Sequence, residues 1–358
     1  MTPAFVVRFR PLGPWRIGAD SGARDRAGSL FHSDALFSAL CGAMLRMGRL
    51  DAWLDATARS AAGPRVAVSS CFPFMGDMQF IPPPRTLWPP PPSPRVRWSN
   101  ARFVPLRAVR DLVSEQGLPD SAWYVDGPSA CLLPEAAELR SGPFRPATRS
   151  HAAVDRVRPG VIEIHRTACI EFAESAGLWA VAAFAGEAAR EEWAAALQGA
   201  FRLLADSGLG GRRSLGWGRS AAPEFMDGNL PDLLLPELVP HAPAASPLGE
   251  EAQPAPAETV YWMLSLFSPA ADDTIDWHRG SYTLRERGGR IESPVGSGAE
   301  KKVLRMVEEG SVLVAASAPR GAAPDVAPAG FPHPVYRAGF AVSIPILLRG
   351  PERAISAL

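Results

Sequence analysis

The run Gly208-Leu-Gly-Gly-Arg-Arg-Ser-Leu-Gly-Trp-Gly-Arg219 constrains this chain more than any other stretch. It follows an amphipathic segment, Glu191 to Leu204, in which Trp193, Leu197, Phe201 and Leu204 recur at helical spacing. No helix continues through five glycines in eleven residues, so a loop must sit at its C-terminal end. Gly208, Gly210, Gly211, Gly216 and Gly218 permit positive φ and a close backbone approach, so amide N–H groups can face a phosphate while Arg212, Arg213 and Arg219 supply charge. A helix C-cap and β-turn with solvated arginines would use the same residues. The phosphate loop GxxxxGK[ST] is absent, and Gly216 to Ala221 fits GxGxxA by letters only, since it follows a helix rather than a strand.

The elements around this loop suggest a known order. Phe5 to Phe9 alternates as a strand, and a glycine-containing loop leads to His32-Ser33-Asp34, a cluster suited to capping a helix N-terminus. Leu36, Phe37, Leu40, Met44 and Leu45 keep helical spacing up to Gly48, and Val66 to Phe74 reads as a second strand. The proline runs 82–84 and 89–92 mark an insertion at about 75–150. Val161 to Phe172 alternates and is expected to form a hairpin with Leu178 to Phe184 through a turn at Gly177. Strand, helix, strand, insertion, hairpin, helix, loop and strand is a βαββαβ ferredoxin-like (RRM-like) order over residues 1–225, with the Gly/Arg loop at 208–219. A Pro/Ala-rich acidic stretch makes 226–258 a linker, and 259–358 reads as a smaller, mostly β domain with a short helix at Lys301 to Val307. The chain is long enough for two ordinary cores.

Composition narrows the function. Net charge is formally zero, but lysine occurs only at 301 and 302, so 35 of the 37 basic residues are arginine, the side chain suited to bidentate phosphate contact and base stacking. Arg85 to Arg110 holds six arginines and no acid, a local basic patch expected to serve binding more than packing. The four cysteines are scattered without a CxxC pair, so neither a disulfide framework nor a metal site is expected. No apolar run is long enough to span a bilayer, which predicts a cytoplasmic protein without membrane contact.

His32, Ser33 and Asp34 offer a base, a nucleophile and an acid in succession, but neighbours at a helix start rarely face one another productively, and capping accounts for the cluster. Arg149, His151 and Arg156, with His165 and Arg166, could form a basic RNA-facing edge or an acid/base pair for RNA cleavage.

Several separated motifs resemble the RAMP superfamily of CRISPR proteins, and within it the fourth subunit of the type III-A (Csm) effector complex. They are Phe31-His-Ser-Asp-Ala-Leu-Phe-Ser-Ala-Leu40, Phe72-Pro-Phe74 with Phe80-Ile-Pro-Pro-Pro84, His151-Ala-Ala-Val-Asp-Arg156, the Gly/Arg loop, Glu309-Gly-Ser-Val312 and Val335-Tyr-Arg-Ala-Gly339. Ala35 stands where the family has Thr, and Pro84 where a Lys is common, with Arg85 adjacent. The resemblance implies an α+β chain of two ferredoxin-like (RRM-like) domains of RAMP type, the first carrying a Pro/Arg-rich thumb insertion. It implies a non-catalytic subunit that binds the 5′ handle of crRNA without a cofactor, beside a large polymerase-like signalling subunit and a backbone RAMP subunit. The RNA-binding set it implies is His32, Ser33, Arg85, Arg149, His151, Arg156 and the loop residues Gly208, Gly210, Gly211, Arg212, Arg213, Gly216, Gly218 and Arg219. The alternatives are a metal-independent endoribonuclease that processes precursor crRNA, with His32 or His151 as base, and a purely protein-bridging scaffold.

Overall fold

Ala176–Phe184 is apolar or small at every position and all nine residues are buried, as expected of a strand with a neighbour on each side and both faces covered. The computed structural model describes residues 1–18, 25–135, 141–154, 162–236, 258–293 and 298–348. In chain order the first domain runs β1 (Thr2–Phe9), α1 (Ser33–Arg46), α2 (Leu50–Ala56), β2 (Val66–Val68), β3 (Phe72–Met75), β4 (Met78–Ile81), β5 (Val104–Pro105), α3 (Leu106–Val113), β6 (Trp123–Asp126) and β7 (Cys131–Pro134). It continues with β8 (Phe144–Val154), β9 (Ile162–Phe172), β10 (Ala176–Phe184), α4 (Glu187–Ser207) and β11 (Glu224–Leu230).

The main sheet has the order β11-β1-β10-β3-β4-β5, with β2 also on β10. β2 and β3 together form one interrupted strand, so the four-strand core reads fourth, first, third, second, the ferredoxin-like order, with α1 and α4 as its two helices. The register places Val6 opposite Val181 and Met226 opposite Val6. Phe5 meets Phe201 of α4 edge-on at 6.1 Å, and Trp53 meets Trp193 at 5.6 Å.

The strand expected over Val66–Phe74 breaks at Ser69–Cys71. Ser69 Oγ accepts the Val181 N–H at 2.8 Å, while the N–H groups of Ser70 and Cys71 turn away to Leu264 O and Phe31 O at 3.0 and 2.8 Å. The bulge thus aims the Ser70 side chain at the second domain.

One pairing differs from the sequence expectation. β9 does not pair with β10: both edges of β10 are taken, by β1 on one side and β2 and β3 on the other. β9 instead pairs over its whole length with β8, His151 opposite His165, as a separate two-stranded hairpin. The Pro/Arg-rich stretch, which falls between β3 and β10, packs on the core. β4 and β5 extend the main sheet, and Val96, Trp98, Phe103, Val104, Ala108 and Val109 are buried within the Arg85–Arg110 segment.

The second domain runs β12 (Glu258–Met263), β13 (Ile275–Ser281), β14 (Leu284–Arg287), β15 (Leu304–Val307), β16 (Val312–Ala315), β17 (Gly321–Ala322), β18 (Gly339–Phe340) and β19 (Ser343–Leu348). Its four-stranded sheet, β13-β16-β12-β19, repeats the same relative strand order, but no helix forms among the described residues. The connection from β16 to β19 carries Pro319, Pro324, Pro328, Pro332 and Pro334, which a helix interior does not tolerate. The short helix expected at Lys301–Val307 is instead β15, paired with β14 from Leu284↔Val307 to Arg287↔Leu304. The first domain extends past its expected end at 225: β11 runs to Leu230, and Leu234 and Leu235 are buried behind it. Residues 237–257 of the expected linker lie outside the described residues.

The two domains share one apolar core. Phe37 of α1 packs edge-on to Phe340 at 5.6 Å, and the Trp262 indole N–H donates to Pro82 O at 3.1 Å, so the cluster containing Val6 and Leu40 is continuous with Trp262, Leu264 and Ile344. Met263, Phe267, Val307 and Leu313 make a small satellite. Cys71, Cys131 and Cys169 are buried thiols, and burial pushes the half-buried Cys41 up to about 12.

Candidate nucleic-acid interface

The helix α4 ends as its glycines require. Gly208 closes it at φ +88, its N–H on Leu204 O at 2.8 Å. At Gly210, φ +83, a Cβ would lie 2.4 Å from Arg16 O, and at Gly218, φ +78, only 2.0 Å from Leu209 O, so neither position admits a side chain. Arg212 takes the left-handed region at φ +62 and starts a single 3₁₀ turn over Arg213–Leu215.

The loop's main chain is largely committed to itself and to the Pro14–Arg16 segment. Gly211 N–H donates to Arg16 O at 2.9 Å, Gly216 N–H to Arg213 O at 2.9 Å, Gly218 N–H to Pro14 O at 3.0 Å and Leu209 N–H to Gly218 O at 3.0 Å. The expectation that these amides face a phosphate is therefore corrected: those of Gly208, Gly211, Gly216 and Gly218 are taken by carbonyls of the protein. Those glycines fold the turn tightly, and what the turn presents outward is Arg213, Ser214, Leu215 and, half-buried, Arg212.

The turn is joined to the β8–β9 hairpin. Arg212 Nη2 reaches Thr167 Oγ1 at 3.4 Å, and Trp217, itself buried, stacks obliquely on the His151 ring at 5.6 Å. Arg16 links all three pieces: its carbonyl takes the Gly211 N–H, and its Nη1 donates to Ala168 O at 2.7 Å. Arg149 and Arg145 both ion-pair with Glu171. Burial alone would raise the Glu171 carboxyl, but its bonds to Arg145 and Arg149 hold it below its usual range. His151 Nε2 is buried without a hydrogen-bond partner. Arg213 Nη2 crosses to Glu292 of the second domain at 3.1 Å, and Arg219 Nε donates to Asp206 O at 3.1 Å. One surface thus collects Arg212, Arg213, Arg149 and His151, with the glycines as its framework and Arg16 as a member that no sequence signal marked.

Other expected contacts lie elsewhere. Arg85 lines a separate cleft of about 330 Å³ with Trp88, Arg102 and Glu308, its backbone N–H on Gly310 O at 3.0 Å. Arg156 lies outside the described residues.

His32 and Ser33, expected at the RNA, are buried between the domains instead, at 6% and 3% exposure. Neither Ser33 nor Asp34 caps α1; His32 is the capping position and makes no side-chain cap bond. The cluster serves as a junction. His32 Nδ1 meets Glu309 Oε1 at 2.8 Å, Ser70 Oγ donates to the same oxygen, Ser33 N–H donates to Ser70 Oγ at 2.8 Å, and Ser33 Oγ accepts the Leu266 N–H at 3.0 Å. Asp34 takes Arg287 Nη2 at 2.9 Å and Nε at 3.1 Å, together with Arg337 Nη1. A buried carboxylate facing two guanidinium forks satisfies more donors than a cap could, which is why these side chains turn across the interface. Burial pushes both carboxyls up, but the charges of Arg287 and Arg337 on Asp34, and of His32 on Glu309, outweigh it and hold both below their usual range. Glu309 and Arg337 stand in the two C-terminal motifs singled out in the sequence, and only the fold shows that they meet the His32-Ser33-Asp34 motif.

Among the described residues no group of three or more His, Cys, Asp and Glu could hold a metal ion, and no helix is long and apolar enough to cross a membrane.

Residues 257–346 match the family model of the CRISPR Csm4 C-terminal domain. That region is similar to a Csm4 C-terminal domain. The matched region supplies Arg287, Glu292, Glu309 and Arg337, the partners of the junction and of Arg213. Among solved structures, a chain of the Csm3–Csm4 subcomplex of the type III-A CRISPR-Cas interference complex aligns with a TM-score of 0.60 at 18% identity, over 98% of this chain and 100% of that one. A chain of a Csm1–Csm4 cassette in complex with cA4 aligns at 0.53 and 16% identity, over 98% and 100%. Csm4 is the subunit named in both complexes, and the chain shares its fold with the aligned chains over almost its whole length. No curated protein matches the chain by sequence.

Proposed function

We propose that this chain is the subunit of a type III CRISPR effector ribonucleoprotein that grips the 5′ handle of the guide RNA, and that it does so without cleaving it. The observation that carries this reading is the joining of the Gly/Arg turn, Arg16 and the β8–β9 hairpin into one surface bearing Arg212, Arg213, Arg149 and His151. Guanidinium forks held on a rigid turn suit phosphate oxygens, and Trp217 behind His151 fixes a flat ring beside them on which a base can stack. The likeness to Csm4 in complexes with Csm3 and Csm1 supports a backbone RAMP subunit and a large signalling subunit as its protein partners. Against the endoribonuclease reading, His32 is enclosed with its ring on Glu309 and is not placed to abstract a proton from RNA.

The test is reconstitution. The chain is mixed with the large subunit, the backbone subunit and guide RNA, with and without the handle. Complex formation that requires the handle, and loses it when Arg212 and Arg213 are replaced by Ala, is the expected result. Discrete cleavage of repeat RNA by the purified chain in EDTA, lost on His151→Ala, would establish the enzyme instead.

A further inference from the structure

A second cleft, of about 520 Å³, opens between the segment before β5 and the β6–β7 hairpin, and is lined by Arg95, Arg97, Asn100, Tyr124, Val125 and Gly127. It shares none of these residues with the Gly/Arg surface.

Its basic side is built rather than incidental. Along Arg95–Trp98 exposure alternates: Arg95 and Arg97 are exposed, while Val96 and Trp98 are buried at 3% and 4%. Trp98 is anchored edge-on against Trp88 at 5.9 Å. Ser93 Oγ accepts the N–H groups of Arg95 and Val96 at 3.0 and 3.2 Å and donates to Asp120 at 2.9 Å. The two arginines therefore project to one side of a segment already ordered by folding, so a ligand need not immobilise the backbone that presents them.

The charge there is uncompensated. Neither Arg95 nor Arg97 has an ion pair among the described residues, whereas Arg145, Arg149, Arg285, Arg287 and Arg337 all do. The acids of this region have other tasks: Asp120 holds Ser93, and Asp126 accepts from Ser129. Across the cleft, burial and the charges of Asp126 and Glu135 raise the Tyr124 phenol above its usual range.

We propose that this cleft is a second nucleotide-binding site, taking two successive phosphates and the adjoining base of single-stranded RNA. The choice of RNA as ligand rests on the function proposed above; the site itself rests on the cleft. Two residues of extended chain span at most roughly 7 Å, about one nucleotide step of a stretched strand, so Arg95 and Arg97 can contact successive phosphates. Tyr124 offers a stacking face and the Asn100 amide a donor and an acceptor for a base edge. An acidic peptide would satisfy the arginines and leave the ring and amide unused.

The test uses the full chain and a labelled single-stranded RNA, titrated at several salt concentrations against wild type, the pair Arg95→Gln/Arg97→Gln, and the pair Arg212→Ala/Arg213→Ala. The Gln pair keeps the fold, because both side chains are exposed. The expected result is a roughly fivefold to tenfold loss of affinity in the Gln pair, with a salt slope shallower by about 1.4 for two lost phosphate contacts. Wild-type affinity and slope in the Gln pair, beside weakened binding in the Arg212/Arg213 pair, would overturn the second site and leave the proposed function standing. Absence of RNA binding by wild type would overturn both. Binding of a poly-glutamate peptide that the Gln pair abolishes, with RNA affinity unchanged, would make the cleft a protein-docking site instead.

Discussion

Asp34→Asn removes one charge from the buried junction and almost no volume. The carboxylate faces Arg287 and Arg337, whose side chains are only 14% and 6% exposed, and is itself 3% exposed. At a separation of about 4 Å and an effective dielectric constant near 20, each ion pair is worth about 4 kcal/mol of attraction. Much of that is offset in the native protein by taking the ions out of water, but the substitution recovers none of that cost for the arginines, which stay buried without their anion. The loss of stability should therefore fall at about 3–5 kcal/mol. Equilibrium unfolding in urea reads it directly: with a slope of about 3 kcal/mol per molar, the midpoint drops by roughly 1–2 M. Because both arginines come from the second domain, tryptophan fluorescence and far-ultraviolet circular dichroism should shift together. A midpoint change below about 0.3 M would refute the reasoning and make the junction incidental to domain docking.

Four further outcomes are expected. Asp34 and Glu309 are both held below the usual carboxylate range; since the unfolded chain takes up protons first, stability present at neutral pH should fall as pH drops below about 4.5, and Asp34→Asn should flatten that decline, as acid titration of the urea midpoint would reveal. Replacing Arg212 and Arg213 with Ala should weaken handle binding more than tenfold and reduce the salt slope by about 1.4, measured by titration at two salt concentrations; an unchanged slope would place the RNA elsewhere. Gly218→Ala puts a methyl group 2.0 Å from Leu209 O at φ +78 and should cost about 2–3 kcal/mol in urea unfolding, with loss of RNA binding. His32→Ala should lower stability while leaving the handle affinity of the folded fraction unchanged; a selective loss of RNA binding at full stability would return His32 to the RNA.

Much of the first domain was legible because its signals are local. The 3.6-residue spacing of α4, the glycine stop at Gly208 and the continuous apolar run of β10 each dictate one element, and their order dictates the sheet. Pairing was less legible. Alternation along β9 identifies a strand but not its partner, and only the saturation of both edges of β10 excludes the neighbour that the chain order suggests. The Arg85–Arg110 segment was read by its charges, although Val96, Trp98, Phe103 and Val109 between them carry the packing. The site shows the same limit. Arg212 and Arg213 stand out by composition, whereas Arg16 owes its place to a carbonyl that reaches Gly211 and a guanidinium that reaches Ala168, 152 residues away. His32-Ser33-Asp34 had a sufficient local explanation as a cap, and local reasoning had no means to see Glu309, Arg287 and Arg337 arriving from the other domain.

The most direct test of the central claim is to map the handle on the assembled ribonucleoprotein. Guide RNA carrying a photoreactive nucleotide at each handle position in turn is crosslinked in the complex, and the attached peptides are identified by mass spectrometry. The account predicts crosslinks in this chain at the Gly/Arg turn, residues 208–219, and on the β8–β9 hairpin about His151. Crosslinks confined to another subunit, with the turn and hairpin unlabelled at every handle position, would contradict it.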